Sequence, residues 1–377
     1  MDPTIIEMVN VSREVAWLPW AVQYFFLIGL SIGALLIALP GTLFGLPRWQ
    51  RVSAIALLVA LITGLAAPVA LLADLHQPFR FYHFYLYPQT SSWMAWGAFF
   101  LPAYVLLLVM HAWLVYRPAL SEQAETGPRL LSGLFRRLGG EARPRLQQAS
   151  GLAALLAALA VLTYTGMELA VVAARPLWHT PLLPWQLFAT ALVGAAGMAL
   201  LLQRLLVGAG DADTVRHLQR LLIGSAIGVA AIGLLWLFLG FSGTSPSYQQ
   251  AITQLTRNPG WQLNAAWTAL ALVAPVAAAW LLPRHGWLSG LLALHFAWMF
   301  RWSVFMDVQS LPKAAAGYQP YVLPFGTDGL LGIVGTAGLV VFLVLILSSL
   351  LPWQRPALPA LSHHAPATLP GHRPEEV

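Results

Sequence analysis

Nine long apolar runs separated by short polar stretches dominate the chain: 20–44, 52–75, 93–116, 147–173, 183–207, 217–241, 262–282, 286–307 and 327–350. Each is long enough for a helix of about 20 residues crossing a hydrocarbon core of roughly 30 Å. None shows the alternation of a transmembrane β-strand, so continuous helices that satisfy their own backbone are predicted. The expected fold is an all-α integral membrane protein with nine transmembrane helices. Residues 1–351 form one polytopic domain in this reading, and 352–377, rich in Pro and His, a disordered cytoplasmic tail. A second polar stretch, around 117–146, carries Arg117, Arg129, Arg136, Arg137, Arg143 and Arg145 and reads as a solvated loop drawn to anionic headgroups. Asp2, Glu7 and Glu14 outnumber Arg13 ahead of a first run too long for a signal h-region, so no cleaved signal peptide is expected.

The runs contain a faint repeat. Leu18-Pro19-Trp20 recurs as Leu183-Pro184-Trp185, and at the same offset Gly29 meets Gly194, Ala34 meets Ala199 and Leu35 meets Leu200. The first and fifth spans run in the same direction, so the pattern predicts two parallel four-helix bundles plus one extra C-terminal helix. Gln23 and Tyr24 correspond to Phe188 and Ala189. The shared Pro-Trp pair therefore reads as scaffold, whereas the amide and the phenol belong to the first copy alone.

Composition narrows the function classes. Of 377 residues, 58% are hydrophobic and only 9% charged, and the mean hydropathy is +0.70. The net charge of +6 follows membrane sidedness: fourteen of the 20 Lys and Arg lie near the loops after spans 1, 3, 5 and 7 or in the tail. The positive-inside rule then puts the N-terminus outside and the C-terminus in the cytoplasm of a multi-pass inner-membrane protein, and no nucleic-acid partner is expected. With no cysteine, the chain has no thiolate for an iron–sulfur cluster, so any such cluster belongs to a partner.

An ionisable residue inside a bilayer costs about 2.5–3.5 kcal/mol on insertion scales, so each one calls for a reason. Asp74, Glu168, Asp307 and Asp328 all fall at the outer ends of their spans, level with Trp17, Trp20, Gln23 and Tyr24. The connection after the second span adds His76, Arg80 and His83 among Phe79, Phe81, Tyr82, Phe84 and Tyr85. Asp74 and Arg80 either take part in chemistry or pair with each other to fix this connection. Tyr164 and Glu168, four residues apart, share a helical face. They suit a headgroup anchor and a proton acceptor, or else an interhelical lock. Arg301, about five residues from the end of its span, is expected to have a structural or tuning role, by snorkelling or by pairing with an inward acid. His111, His217 and His295 offer no pair at one depth for a haem.

These residues and their neighbours carry a resemblance. Trp17-Leu18-Pro19-Trp20-Ala21-Val22-Gln23-Tyr24-Phe25-Phe26, Ala73-Asp74-Leu75-His76-Gln77, His83-Phe84-Tyr85, Ser92-Trp93-Met94-Ala95-Trp96-Gly97-Ala98, Tyr164-Thr165-Gly166, Ala174-Arg175-Pro176-Leu177-Trp178 and Gly326-Thr327-Asp328-Gly329 resemble the NrfD/PsrC family. Within it they resemble the branch that serves reductases of tetrathionate and related sulfur compounds. The resemblance implies a subunit that oxidises menaquinol or ubiquinol. Its implied partners are an extracytoplasmic iron–sulfur subunit and, beyond that, a molybdopterin catalytic subunit. In the polysulfide reductase branch the headgroup is held near the start of helix 1 and by a tyrosine on helix 4, positions that fall on Tyr24 and Tyr164. That branch has a histidine where this chain has Tyr24 and an asparagine where it has Ala21, leaving Gln23 to supply an amide.

The combined expectation is a quinol site with Gln23, Tyr24, Tyr164, Trp20 and Arg80 binding the headgroup between spans 1, 2 and 4. Glu168, Asp74 and His83 accept its protons, with no haem, flavin or metal in this chain. A proton or solute transporter is disfavoured because its site belongs near the midplane. A purely structural membrane anchor needs no one-sided set of acids and phenols.

Overall fold

The computed structural model describes residues 15–208, 211–311 and 319–355, and among these all regular structure is helical. In chain order the helices are α1 (Pro19–Thr42), α2 (Pro47–Asp74), the short α3 (His83–Leu86), α4 (Trp93–Thr126), α5 (Arg129–Leu138), α6 (Pro144–Ala170), α7 (Leu183–Val207), α8 (Ala212–Phe241), α9 (Pro246–Arg257), α10 (Pro259–Leu281), α11 (Gly286–Ser310) and α12 (Leu330–Leu350). Nine of them, all but α3, α5 and α9, are long and apolar enough to cross a membrane. Proline in the first turn starts α1, α6, α7 and α10, where its missing N–H removes a donor that would otherwise lack a partner. Pro19 and Pro184 of the repeated Leu-Pro-Trp thus occupy equivalent helix starts.

The stretch expected to be a solvated loop is largely helical. α4 continues to Thr126, and α5 follows with Leu130, Leu131, Leu134, Phe135 and Leu138 spaced for one helical face. Phe135 is buried and the indole of Trp113 donates to the Leu138 carbonyl (2.8 Å), so α5 is fastened to α4. The start of the expected tail also folds back. Trp353 is buried and donates to the Ser348 carbonyl, and Arg355 meets Glu122 at 3.5 Å. Residues 356–377 of that tail lie outside the described residues.

We call the end where α1 starts the N face and the end where α12 finishes the C face. α1 is the most enclosed helix, packed against α2, α6, α7, α11 and α12. α4 pairs with α6, α7 with both α8 and α11, and α10 with α11, while α12 lies outermost against α2 and α1.

Polar side chains inside this apolar bundle serve mainly as cross-ties, because hydrocarbon offers no alternative partner. Near the C face, His111 of α4 joins Ser150 of α6 and Thr42 of α1, each at 3.0 Å, and Gln147 donates to the Thr42 carbonyl. At mid-depth Ser31 donates to the Ala60 carbonyl and accepts from Tyr104. At the N face α11 contains a π turn over Ser303–Asp307, whose displaced carbonyls need donors from elsewhere. Trp178 supplies one to Val304 (2.6 Å), and just past the turn, near the end of α11, Arg175 donates to the Val308 carbonyl (2.6 Å).

Arg301 is the largest fully buried side chain. It neither snorkels nor pairs with a carboxylate among the described residues, contrary to both sequence expectations. Its guanidinium instead donates to the carbonyls of Phe25 on α1 (3.1 Å), Leu187 on α7 (3.2 Å) and Ala297 on α11 (2.9 Å), and to the Thr190 hydroxyl (3.0 Å). Gly29 makes room for it, since a Cβ there would lie 2.8 Å from Nη2. Fixed main-chain dipoles from three helices therefore solvate one charge. Arg301→Met is expected to destabilise the folded protein by on the order of 2 kcal/mol, read as a lower thermal midpoint in detergent. Arg301→Lys is expected to recover only part of the loss, because a point charge cannot span three helices.

Candidate functional site

A cavity of about 510 Å³ lies at the N face between α2, α4 and α6. α2 contributes Pro68, Leu71, Leu72 and Asp74, α4 contributes Met94, Gly97, Leu101 and Pro102, and α6 contributes Tyr164 and Glu168. Trp17, just ahead of α1, and His76, Phe81 and Tyr85 of the connection between α2 and α4 complete the wall. Leu72 and Met94 are each 43% exposed and mark where the cavity reaches the lipid-facing side of the bundle. The lining is thus mostly apolar, with two phenols, two carboxyl groups and one imidazole converging on it.

The space comes from α4. A Cβ on Gly97 would clash with the ring of Tyr164, so glycine is what lets that ring pack flat against α4. Pro102, inside α4, lacks the N–H that would bond to the Ala98 carbonyl one turn back. The Tyr85 hydroxyl donates to that carbonyl (2.9 Å) and ties the connection across the top of the cavity.

The sequence-predicted residues divide into four groups. Tyr164, Glu168 and Asp74 line the cavity. Tyr24 does not line it: fully buried behind the site, it hydrogen-bonds hydroxyl to hydroxyl with Tyr164 and braces that phenol. Glu168 is half-buried and has no hydrogen-bond or ion-pair partner among the described residues. Asp74 accepts the Leu18 N–H (3.1 Å) and so places a carboxylate at the start of α1, where a helix dipole favours negative charge. Gln309 holds the same segment by exchanging two 3.0 Å hydrogen bonds with the backbone of Trp17.

Arg80 and His83 are exposed and line an adjoining recess of about 580 Å³ rather than the cavity itself. The two spaces share Leu75, His76, Phe81 and Phe84, which makes His76 the polar residue at their junction. Among the described residues Asp74 and Arg80 form no ion pair with each other.

Trp20 and Gln23 lie elsewhere. The Trp20 ring packs against Gly332 of α12, where a Cβ would be 2.8 Å away. Gln23 is buried, and its Nε2 has no partner among the described residues. Asp307 is also away from the cavity, buried on α11 with Oδ2 unpartnered among the described residues. Sequence reasoning misses the third span, which brings no ionisable group to this level. The signal available is Gly97 and Pro102 within one apolar helix, a glycine for close approach and a proline that frees a carbonyl.

The family model described as Polysulphide reductase, NrfD matches residues 7–312. A tetrathionate reductase subunit of Salmonella typhimurium is 34% identical over 356 residues, covering 91% of this chain and 94% of that protein. A selenate reductase subunit of Mesobacillus selenatarsenatis is 29% identical over 221 residues, covering 54% of this chain and 51% of that protein. The extent of the family match and of the first similarity decides the assignment: this chain belongs to the NrfD polysulphide reductase family.

Proposed function

We propose that this protein is the quinol-oxidising membrane subunit of a respiratory reductase complex in the inner membrane, with the N face outside and the C-terminus in the cytoplasm. Menaquinol or ubiquinol enters from the bilayer between α2 and α4 and places its headgroup beside Tyr164 and Glu168. The carrying observation is the cavity itself, apolar enough for a quinone ring yet ending in a braced phenol and an unpartnered carboxyl group. Oxidation breaks two O–H bonds of the quinol. Two electrons pass to a cluster on an extracytoplasmic iron–sulfur partner, and two protons leave. The partner in turn supplies a molybdopterin catalytic subunit that reduces tetrathionate or a related sulfur compound. This assignment draws on the 34% identity to a tetrathionate reductase subunit.

Within this scheme Glu168 takes the first proton, and Tyr164, held by Tyr24, hydrogen-bonds a quinol oxygen. His76 and His83 line the route from the cavity through the adjoining recess to the N face, with Arg80 at its rim. Asp74 combines a place in the cavity wall with its anchoring of α1. Gln23 and Trp20 lie on α1 outside the cavity, with Trp20 packed against α12.

Three outcomes are expected of the assembled complex. Glu168→Gln lowers quinol-dependent turnover by on the order of 10²-fold, while turnover with a soluble donor that bypasses this protein is unchanged. Unchanged quinol-dependent turnover in that variant would sink the assignment. Gly97→Ala displaces the Tyr164 ring and raises KM for quinol by on the order of tenfold, about 1.4 kcal/mol, in steady-state assays. Tyr24→Phe removes the brace but leaves the Tyr164 hydroxyl in place, so its loss of quinol-dependent turnover is smaller than that of Tyr164→Phe.

A further inference from the structure

At the C face a second polar recess, about 570 Å³, lies where the start of α2 meets the start of α8. Arg48 and Trp49 line it from the first element, and Asp213, Arg216, His217 and Arg220 from the second. Positions 213, 216, 217 and 220 fall three or four apart and form one face of α8. Three arginines against one aspartate give this recess a net charge of +2 with His217 neutral. Asp213 is engaged by Arg216, and Arg51 nearby is neutralised by Asp211 at 3.2 Å. Arg48 and Arg220 make no hydrogen bond or ion pair among the described residues, yet they face the same recess.

These cations, close to the positive end of α8, give the recess a positive potential that favours an anion. Topology alone does not require it, since arginines anywhere in the loops satisfy the positive-inside rule. The floor has a different character. Trp49 packs edge-on against His217 with ring centroids 4.3 Å apart, and Leu221 adds apolar surface. A cationic rim above a tryptophan at the membrane boundary matches a phosphodiester with acyl chains below it, and basic recesses between transmembrane helices bind such headgroups.

We infer that the recess formed by Arg48, Trp49, Arg216, His217 and Arg220 binds the headgroup of an anionic phospholipid, which bridges the start of α2 to α8. The site is distant from the quinol cavity, and its test needs no quinol.

The test is thermal unfolding of the full-length protein, delipidated in neutral detergent and titrated with cardiolipin, phosphatidylglycerol, phosphatidylcholine or inorganic phosphate. The two anionic lipids are expected to raise the midpoint saturably, and more weakly at high salt, whereas phosphatidylcholine and inorganic phosphate do not. Arg48→Gln/Arg220→Gln is expected to raise the half-saturating lipid concentration at least tenfold. Arg220→Lys, which keeps the charge, stays within about threefold of the wild type, and native mass spectrometry of the undelipidated wild type shows bound anionic lipid. Equal half-saturation in the double variant and the wild type overturns the proposal. So does an equal shift from phosphatidylcholine, which is nonspecific solvation, or from inorganic phosphate, which is a free-anion site.

Discussion

One buried cation organises the centre of this membrane protein. Arg301 has no access to water and no carboxylate partner among the described residues, so its charge is stabilised only while carbonyls of α1, α7 and α11 remain aimed at it. That requirement fixes α1 at Phe25, one residue beyond Tyr24. Tyr24 in turn fixes the phenol of Tyr164, and Tyr164 forms a wall of the cavity. The candidate chemistry on α2, α4 and α6 therefore depends on a charge in the other half of the chain.

The cavity is defined as much by what the helices lack as by what they carry. Gly97 withholds a side chain so that the Tyr164 ring can lie against α4, and Pro102 withholds an N–H so that Tyr85 can hydrogen-bond across the opening. Asp74 and Gln309 hold the segment ahead of α1 from two sides, which keeps Trp17 in the wall. The result is an apolar slot with few polar groups and one carboxyl group left unpartnered, an arrangement suited to a flat ring that gives up protons.

Much of this is legible in the sequence because hydrocarbon enforces simple rules. Continuous apolar runs mark all nine spans, and the cost of burying acids draws attention to Glu168 and Asp74. Helical spacing puts Tyr164 and Glu168 on one face. What escapes the sequence depends on partners distant along the chain. Arg301 reads as a snorkelling residue until Phe25 and Leu187 are seen around it. Gln23 and Tyr24 are adjacent in sequence, but they point to different surroundings and neither lines the cavity. The helix over Arg129–Leu138 is hidden for a different reason: its arginines read as a charge run and mask the three- and four-residue spacing of its leucines.

The central claim is that quinol binds between α2, α4 and α6, beside Tyr164 and Glu168. Photolabelling of the native complex with a quinone that carries an azide on its ring, followed by mass spectrometric mapping, tests it most directly. The account predicts that labelling concentrates on residues 93–102 and 164–168 and is displaced by excess quinol. Displaceable labelling confined to α7, α8, α10 or α11 would contradict it.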